Sequence, residues 1–120
     1  MSVPPETLLP LTPLSMAVLL TLTDGELHGY GIIKEVENQT GGWLRPGAGS
    51  LYAALQRMVD DGLIEEVAAP AEAVDARRRY YGVTPFGLEV ARAEAMRLAE
   101  VVRTAGQKKL LNNLRLAYGR

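Results

Sequence analysis

Hydrophobic positions along the chain fall into helical and strand periods, and the breaks between them are marked by glycine and proline. Four prolines among the first thirteen residues (Pro4, Pro5, Pro10, Pro13) predict an extended N-terminal arm over 1–13. A first helix is expected from Pro13 or Ser15. Its residues Met16, Ala17, Val18, Leu19, Leu20 and Leu22 are apolar nearly all round the helical projection, so it should be buried on more than one side. In a chain of 120 residues, the second side is expected to be another subunit. Asp24-Gly25 ends this helix, and a second follows in which Tyr30, Ile33 and Val36, flanked by Ile32, keep helical spacing up to Gly41-Gly42. Beyond a stiff connector from Trp43 to Gly49, residues Leu51, Leu55, Met58 and Val59 recur at i, i+4, i+7 and i+8, a third amphipathic helix closed by Asp61-Gly62. At about 100° per residue, its opposite side displays Gly49, Ser50, Ala53, Gln56 and Arg57.

The segments 63–68 and 78–83 carry β-branched and aromatic residues and read as strands of a hairpin with a long tip. Thr84 and Pro85 then open a last helix, as N-cap and first-turn proline. Phe86, Val90, Ala93, Leu98, Val101, Val102 and Ala105 line one side of it. Gly106 interrupts the pattern, and Leu110, Leu111, Leu114 and Tyr118 resume it on a shifted phase; a kink and two packed segments both fit. The expected fold is mainly α with a small β-hairpin: a winged helix-turn-helix over 14–84 and a C-terminal dimerisation helix over 85–120.

Composition narrows the chemistry. The absence of cysteine excludes disulfides, thiolate metal sites and a cysteine nucleophile, and a single histidine leaves little for zinc or imidazole catalysis. His28 with Glu26, Glu35 and Glu37 is read as a helix start and a solvent face rather than a metal or general-base cluster, so neither a metal nor a cofactor is expected. The paired glycines lack the following Gly-Lys-Ser/Thr of a phosphate loop. With no nucleophile and base to assemble, an enzyme is not expected. The apolar stretch from Leu8 to Thr23 is too short and too interrupted to span a membrane, and the first cation, Lys34, comes too late for a signal peptide, which predicts a cytoplasmic protein. Trp43, beside Leu44, is expected to plug an edge of the core.

A formal net charge of −1 argues at first against a nucleic-acid partner, but it conceals +3 over residues 77–88 and +5 over 103–120, against −6 over 60–76. Steering depends on the field within a Debye length of about 8 Å, not on the total. Three helices, a hairpin and a further helix form the order of a winged helix-turn-helix, in which the third helix enters the major groove. Gly49 and Ser50 would let backbone N–H groups approach a phosphate, while Gln56 and Arg57 would meet base edges. Arg77, Arg78 and Arg79 with Tyr80 and Tyr81 supply guanidiniums and aromatic rings at the predicted wing, although strand alternation would send Arg78 to the opposite face from Arg77 and Arg79 unless the tip is irregular.

The stretches Leu27-His28-Gly29-Tyr30-Gly31-Ile32-Ile33, Gly49-Ser50-Leu51-Tyr52-Ala53-Ala54-Leu55, Asp61-Gly62-Leu63-Ile64 and Arg77-Arg78-Arg79-Tyr80-Tyr81 up to Thr84 resemble, in order and spacing, the motifs of PadR-like transcriptional regulators. The resemblance covers roughly Leu14 to Val90. It implies a homodimer whose C-terminal helix packs on the partner's N-terminal helix, an interface expected at Met16, Leu19, Leu20, Leu98, Val101, Val102, Leu110 and Leu114. It further implies a repressor on a pseudo-palindromic double-stranded operator, with Ser50 and Tyr52 on phosphates, Gln56 and Arg57 nearest the bases, and a small-molecule effector at the dimer interface. The chain departs from the family pattern at Ala48, at Gly82 and in an acidic wing tip (Glu72, Asp75). About 35 residues follow Thr84, as in the short branch of the family, and they lack the tryptophan with which some members bind flat aromatic drugs. The competing expectation is a helical dimer that binds a ligand or protein and has lost DNA binding.

Overall fold

The computed structural model describes residues 3–73 and 77–111. A 3-10 turn at Pro5–Leu8 precedes helix α1 (Pro13–Leu22), strand β1 (Leu27–His28), helices α2 (Gly29–Gln39) and α3 (Ala48–Asp60), strands β2 (Ile64–Val67) and β3 (Tyr80–Val83), and helix α4 (Pro85–Gln107). The strands form one antiparallel sheet in the order β1-β3-β2, with Ile64 opposite Val83, Val67 opposite Tyr80, and Leu27 opposite Tyr81. Val18, Leu19, Leu22, Ile32, Val36, Leu51, Leu55, Met58, Leu63, Ile64, Tyr81 and Val90 make the core between the three helices, the sheet and the root of α4.

Local chemistry starts and stops the elements. The Thr12 hydroxyl accepts the Ser15 N–H at 3.0 Å and Pro13 occupies a position where a missing N–H is harmless, so α1 begins there. Gly62, at φ 78°, turns the chain out of α3. Thr84 caps α4 by accepting the Gly87 N–H at 2.9 Å, and its hydroxyl donates to the Gly62 carbonyl at 2.6 Å. The root of α4 passes so close to β2 that a Cβ on Gly87 would lie 2.0 Å from the Leu63 carbonyl oxygen. Gly87→Ala is therefore expected to destabilise the fold by about 1–3 kcal/mol through forced backbone movement. Thermal unfolding followed by circular dichroism checks this, and an unchanged Tm would contradict it.

Several expectations from the sequence are corrected. The arm is not simply extended: its 3-10 turn lies against α4, and Leu8, Leu9 and Leu11 pack on the core, because prolines forbid a long helix without preventing leucines from docking. Leu19, expected at an interface, is wholly buried within its own chain and has no surface left to offer. In α2, Ile32 and Val36 face the core, while Tyr30 is 57% exposed. Trp43 plugs nothing. Gly41 and Gly42, at φ 63° and 84°, turn the chain so that Leu44 packs inward, its N–H donating to the Thr40 hydroxyl at 3.1 Å, and the neighbouring Trp43 is left 74% exposed. α4 ends at Gln107, one residue past the interruption expected at Gly106, and Lys109, at φ 64°, turns the chain out of it, so 85–120 is not one continuous helix. Leu114 and Tyr118 lie outside the described residues.

Buried Glu94 fastens the arm. Its carboxylate accepts the Leu11 N–H at 2.9 Å and both nitrogens of the Arg97 fork at 2.5 and 3.0 Å. The Arg97 hydrogen bond, aided by the Leu11 N–H, holds this carboxyl below its ordinary value against the opposing effect of desolvation. A folded pKa below the unfolded one stabilises the protein above the ordinary glutamate pKa of about 4.3, and the contribution is lost as pH falls through the depressed folded value. Glu94→Gln is thus expected to cost stability at neutral pH and to differ less from wild type on acidification below about pH 4. Urea midpoints at pH 7 and pH 3.5 measure this, and an equal deficit at both pH values would contradict it.

Candidate nucleic-acid interface

Helix α3 buries Leu51, Ala54, Leu55 and Met58, and this fixes its rotation. Gly49, Ser50, Tyr52, Ala53, Gln56 and Arg57 consequently all face solvent, the stripe that the sequence assigned to DNA. Its N-cap, Gly47, offers no side chain to the first-turn N–H groups, so they stay open to an anion. Gln56 donates from Nε2 to Asp60 Oδ1 at 3.0 Å, which orients its amide and leaves the carbonyl oxygen outward.

Tyr52 leaves the stripe to lie across the start of α2. A Cβ on Gly29 would fall 2.2 Å from the Tyr52 hydroxyl oxygen, so only glycine admits the ring there. The hydroxyl thereby reaches a cleft of about 590 Å³ lined by His28, Gly29, Tyr30, Tyr52, Arg78 and Arg79, where α2, α3 and the wing meet. The arginines precede β3, so strand alternation does not separate them, and Arg78 and Arg79 line the same cleft. Arg78 Nη1 lies 3.3 and 3.4 Å from the two ring nitrogens of His28. Because His28 Nδ1 already accepts the Gly31 N–H at 3.0 Å as the N-cap of α2, these near-equal distances place the guanidinium against the ring. Arg79 stands 4.0 Å from Glu66 across the hairpin. Burial pushes the Tyr81 phenol above its ordinary value, opposed by the Arg79 guanidinium. Arg77 is exposed; the wing tip at 74–76 is outside the described residues.

Tyr80, assigned to DNA from the sequence, is instead buried and meets the His28 ring edge-on at 5.3 Å. Conversely, His28 and Tyr30 belong to the cleft, although the sequence reading set His28 aside as a helix start and placed Tyr30 on the core face. The signal was local: a histidine immediately before a helix is placed to cap it, and the Gly-Tyr-Gly that follows leaves room for a second ring.

A second surface is apolar. Along the outer part of α4, Met96, Leu98 and Val101 are exposed, Val101 by 54%, and Val102 is half-buried. Leu98 borders a groove of about 360 Å³ with half-buried Met16 and exposed Leu20 of α1. Leu110 is exposed beyond the helix end.

The profile of the transcriptional regulator PadR-like family matches residues 18–93, from α1 through the α3 stripe and the wing into α4. The chain belongs to this family. As a PadR-like chain it is 40% identical over 86 residues to an uncharacterized 37.1 kDa protein in a transposon of Streptomyces fradiae; the match takes in 72% of this chain but 23% of that protein. The chain thus spans less than a quarter of that relative's length. Among solved structures, a PadR-like transcriptional regulator from Bacillus cereus matches with a TM-score of 0.69 and 25% identity, covering 83% of this chain and 92% of that one. Bacillus subtilis PadR in complex with operator DNA matches with a TM-score of 0.59 and 24% identity over 70% of this chain and 46% of that one. Helices α1 to α3 with the small antiparallel sheet are the winged-helix fold of these PadR neighbours. Among the described residues, no helix is long and apolar enough to cross a membrane, and no cluster of three metal-ligating side chains occurs.

Proposed function

We propose that this PadR-like chain is a sequence-specific DNA-binding regulator that acts in the cytoplasm as a homodimer and represses from a pseudo-palindromic operator. Residues 14–84 bind DNA and 85–120 dimerise. The observation that carries this reading is the shared cleft: Tyr52 from the reading helix and Arg78 and Arg79 from the wing converge on one space at the base of the α3 stripe. Such a space suits a backbone phosphate, with bidentate guanidiniums and a phenolic donor around it. Ser50 and Tyr52 then position the helix, and Gln56 and Arg57 read base edges in the major groove.

Dimerisation draws support from the apolar strip of Met96, Leu98 and Val101, which the rest of the described chain leaves uncovered. Two chains related by a two-fold axis present two α3 helices to successive turns of DNA, so half-sites about 10–10.5 base pairs apart, or multiples of that, are expected. Occupation of such a site blocks a promoter. The groove between α1 and α4 suits a small effector that relieves repression by changing how the two chains meet.

Nuclease protection of the DNA upstream of the chain's own coding sequence tests this reading. One protected region with two related half-sites is the expected result. Failure to retain any duplex at low salt would refute it, and would favour a helical dimer that binds a ligand or protein instead.

A further inference from the structure

Resting on the DNA-binding reading above, we infer that Asp60 is a specificity-determining residue: it fixes Gln56 as a hydrogen-bond acceptor toward the major groove, so that one position of each half-site takes adenine or cytosine on the contacted strand. Gln56 Nε2 donates to Asp60 Oδ1 at 3.0 Å, one turn further along α3, and both residues are exposed. A glutamine amide can ordinarily present either its oxygen or its nitrogen to a base. A carboxylate beside it removes that choice, because it accepts and does not donate. Turning the amide over would set two oxygens against each other, so the carbonyl oxygen is the group left facing outward.

Nothing else in the fold accounts for Asp60. It closes α3, where a negative charge opposes the helix dipole, and it stands next to Asp61 on the helix that must approach a polyanion. Among the described residues it enters no ion pair. In water, a glutamine and an aspartate one turn apart hold each other only weakly. Inside a groove from which water is displaced the bond strengthens, and breaking it would leave a carboxylate without a partner. The base edges supply the complement. Every base pair shows the major groove one amino group, on adenine N6 or cytosine N4, and one keto oxygen, on thymine O4 or guanine O6. An outward amide oxygen accepts from the first and is repelled by the second. The Gln56–Asp60 pair therefore reads which strand carries the amino group, and inverting the base pair exchanges attraction for repulsion.

The test selects bound duplexes from a library with a randomised core, using the full chain as wild type, Gln56→Ala, Asp60→Ala and Asp60→Glu. Anisotropy titrations then compare duplexes that differ only by inversion of one base pair. The position at which Gln56→Ala loses its preference marks the base pair that Gln56 reads. There the wild type is expected to favour adenine or cytosine on one strand over the inverted pair by about tenfold. Asp60→Ala is expected to lower that ratio to about twofold while binding unrelated duplexes at least as tightly as wild type, since a negative charge has been removed. Asp60→Glu, which keeps a carboxylate one turn from Gln56, is expected to retain the preference, and thermal unfolding verifies that the variants keep the fold. An Asp60→Ala chain with the wild-type ratio at the Gln56 position would overturn the inference while sparing the DNA-binding reading. So would a change confined to a different position, which would make Asp60 a reader in its own right. A wild type that enriches no sequence would overturn that reading, and the role of Asp60 with it.

Discussion

Replacing Arg77, Arg78 and Arg79 together by alanine should weaken binding to every duplex by about a hundredfold near 0.1 M salt, and flatten the salt dependence by roughly two to three units. The magnitude follows from counterion release at about 0.9 per neutralised phosphate, multiplied by up to three guanidiniums. Affinity should fall alike for operator and unrelated DNA, because these side chains meet the backbone and not the base edges. The fold should survive: Tyr80 and Tyr81, which anchor the hairpin, are buried, whereas all three arginines are exposed. Salt titrations by fluorescence anisotropy are the measurement, and an unchanged slope would show that the wing does not touch the phosphates. A contrasting variant, Gln56→Ala with Arg57→Ala, should spare non-specific affinity more than it spares discrimination between sequences.

Leu98→Glu combined with Val101→Glu should turn a dimer into monomers and, through that, reduce operator affinity by more than a hundredfold. Both side chains lie on the exposed strip of α4, so the substitution does not disturb the core of one chain, yet it places two carboxylates in an apolar contact between two chains. Operator affinity suffers because each half-site then binds alone, without the effective concentration that a linked second module provides. Light scattering at micromolar concentration supplies the mass. A wild type with the mass of one chain would remove the basis for the prediction, and a double variant that stays dimeric would place the interface elsewhere.

The α3 stripe was readable in the sequence because an amphipathic period determines which side of a helix is buried; Leu51, Leu55 and Met58 turn Gln56 and Arg57 outward whatever they pack against. The cap and proline at Thr84-Pro85 were equally plain, since they act within a few residues. What depended on distant partners was not readable. β1 is two residues long and exists only because Tyr80 and Tyr81, more than fifty positions later, pair with it. Tyr30 and Ile32 are both apolar, and which of them is buried depends on where α2 starts, a point decided when His28 caps it. Trp43 is turned outward by two left-handed glycines, an effect of backbone direction that hydrophobicity does not encode. Tyr80 looked like half of a wing surface, but its outer face is covered by a histidine from another strand. The break at Gly106 was readable from the shift in hydrophobic phase, and α4 stops one residue beyond it, closed by Lys109 in the left-handed region.

Only Thr84 stands between β3 and α4, and it is bonded on both sides, to Gly62 and Leu63 behind it and to Gly87 ahead. Wing and helix are therefore joined by a stiff elbow with no slack in it. At about 1.5 Å per residue, a helix the length of α4 reaches roughly 34 Å, so a tilt of about 5° at the elbow swings its far end by about 3 Å. In a dimer clasped along that lever, the crossing angle of two helices sets how far apart the reading heads sit, and a molecule wedged beside α4 would be felt as a change of pitch against the DNA.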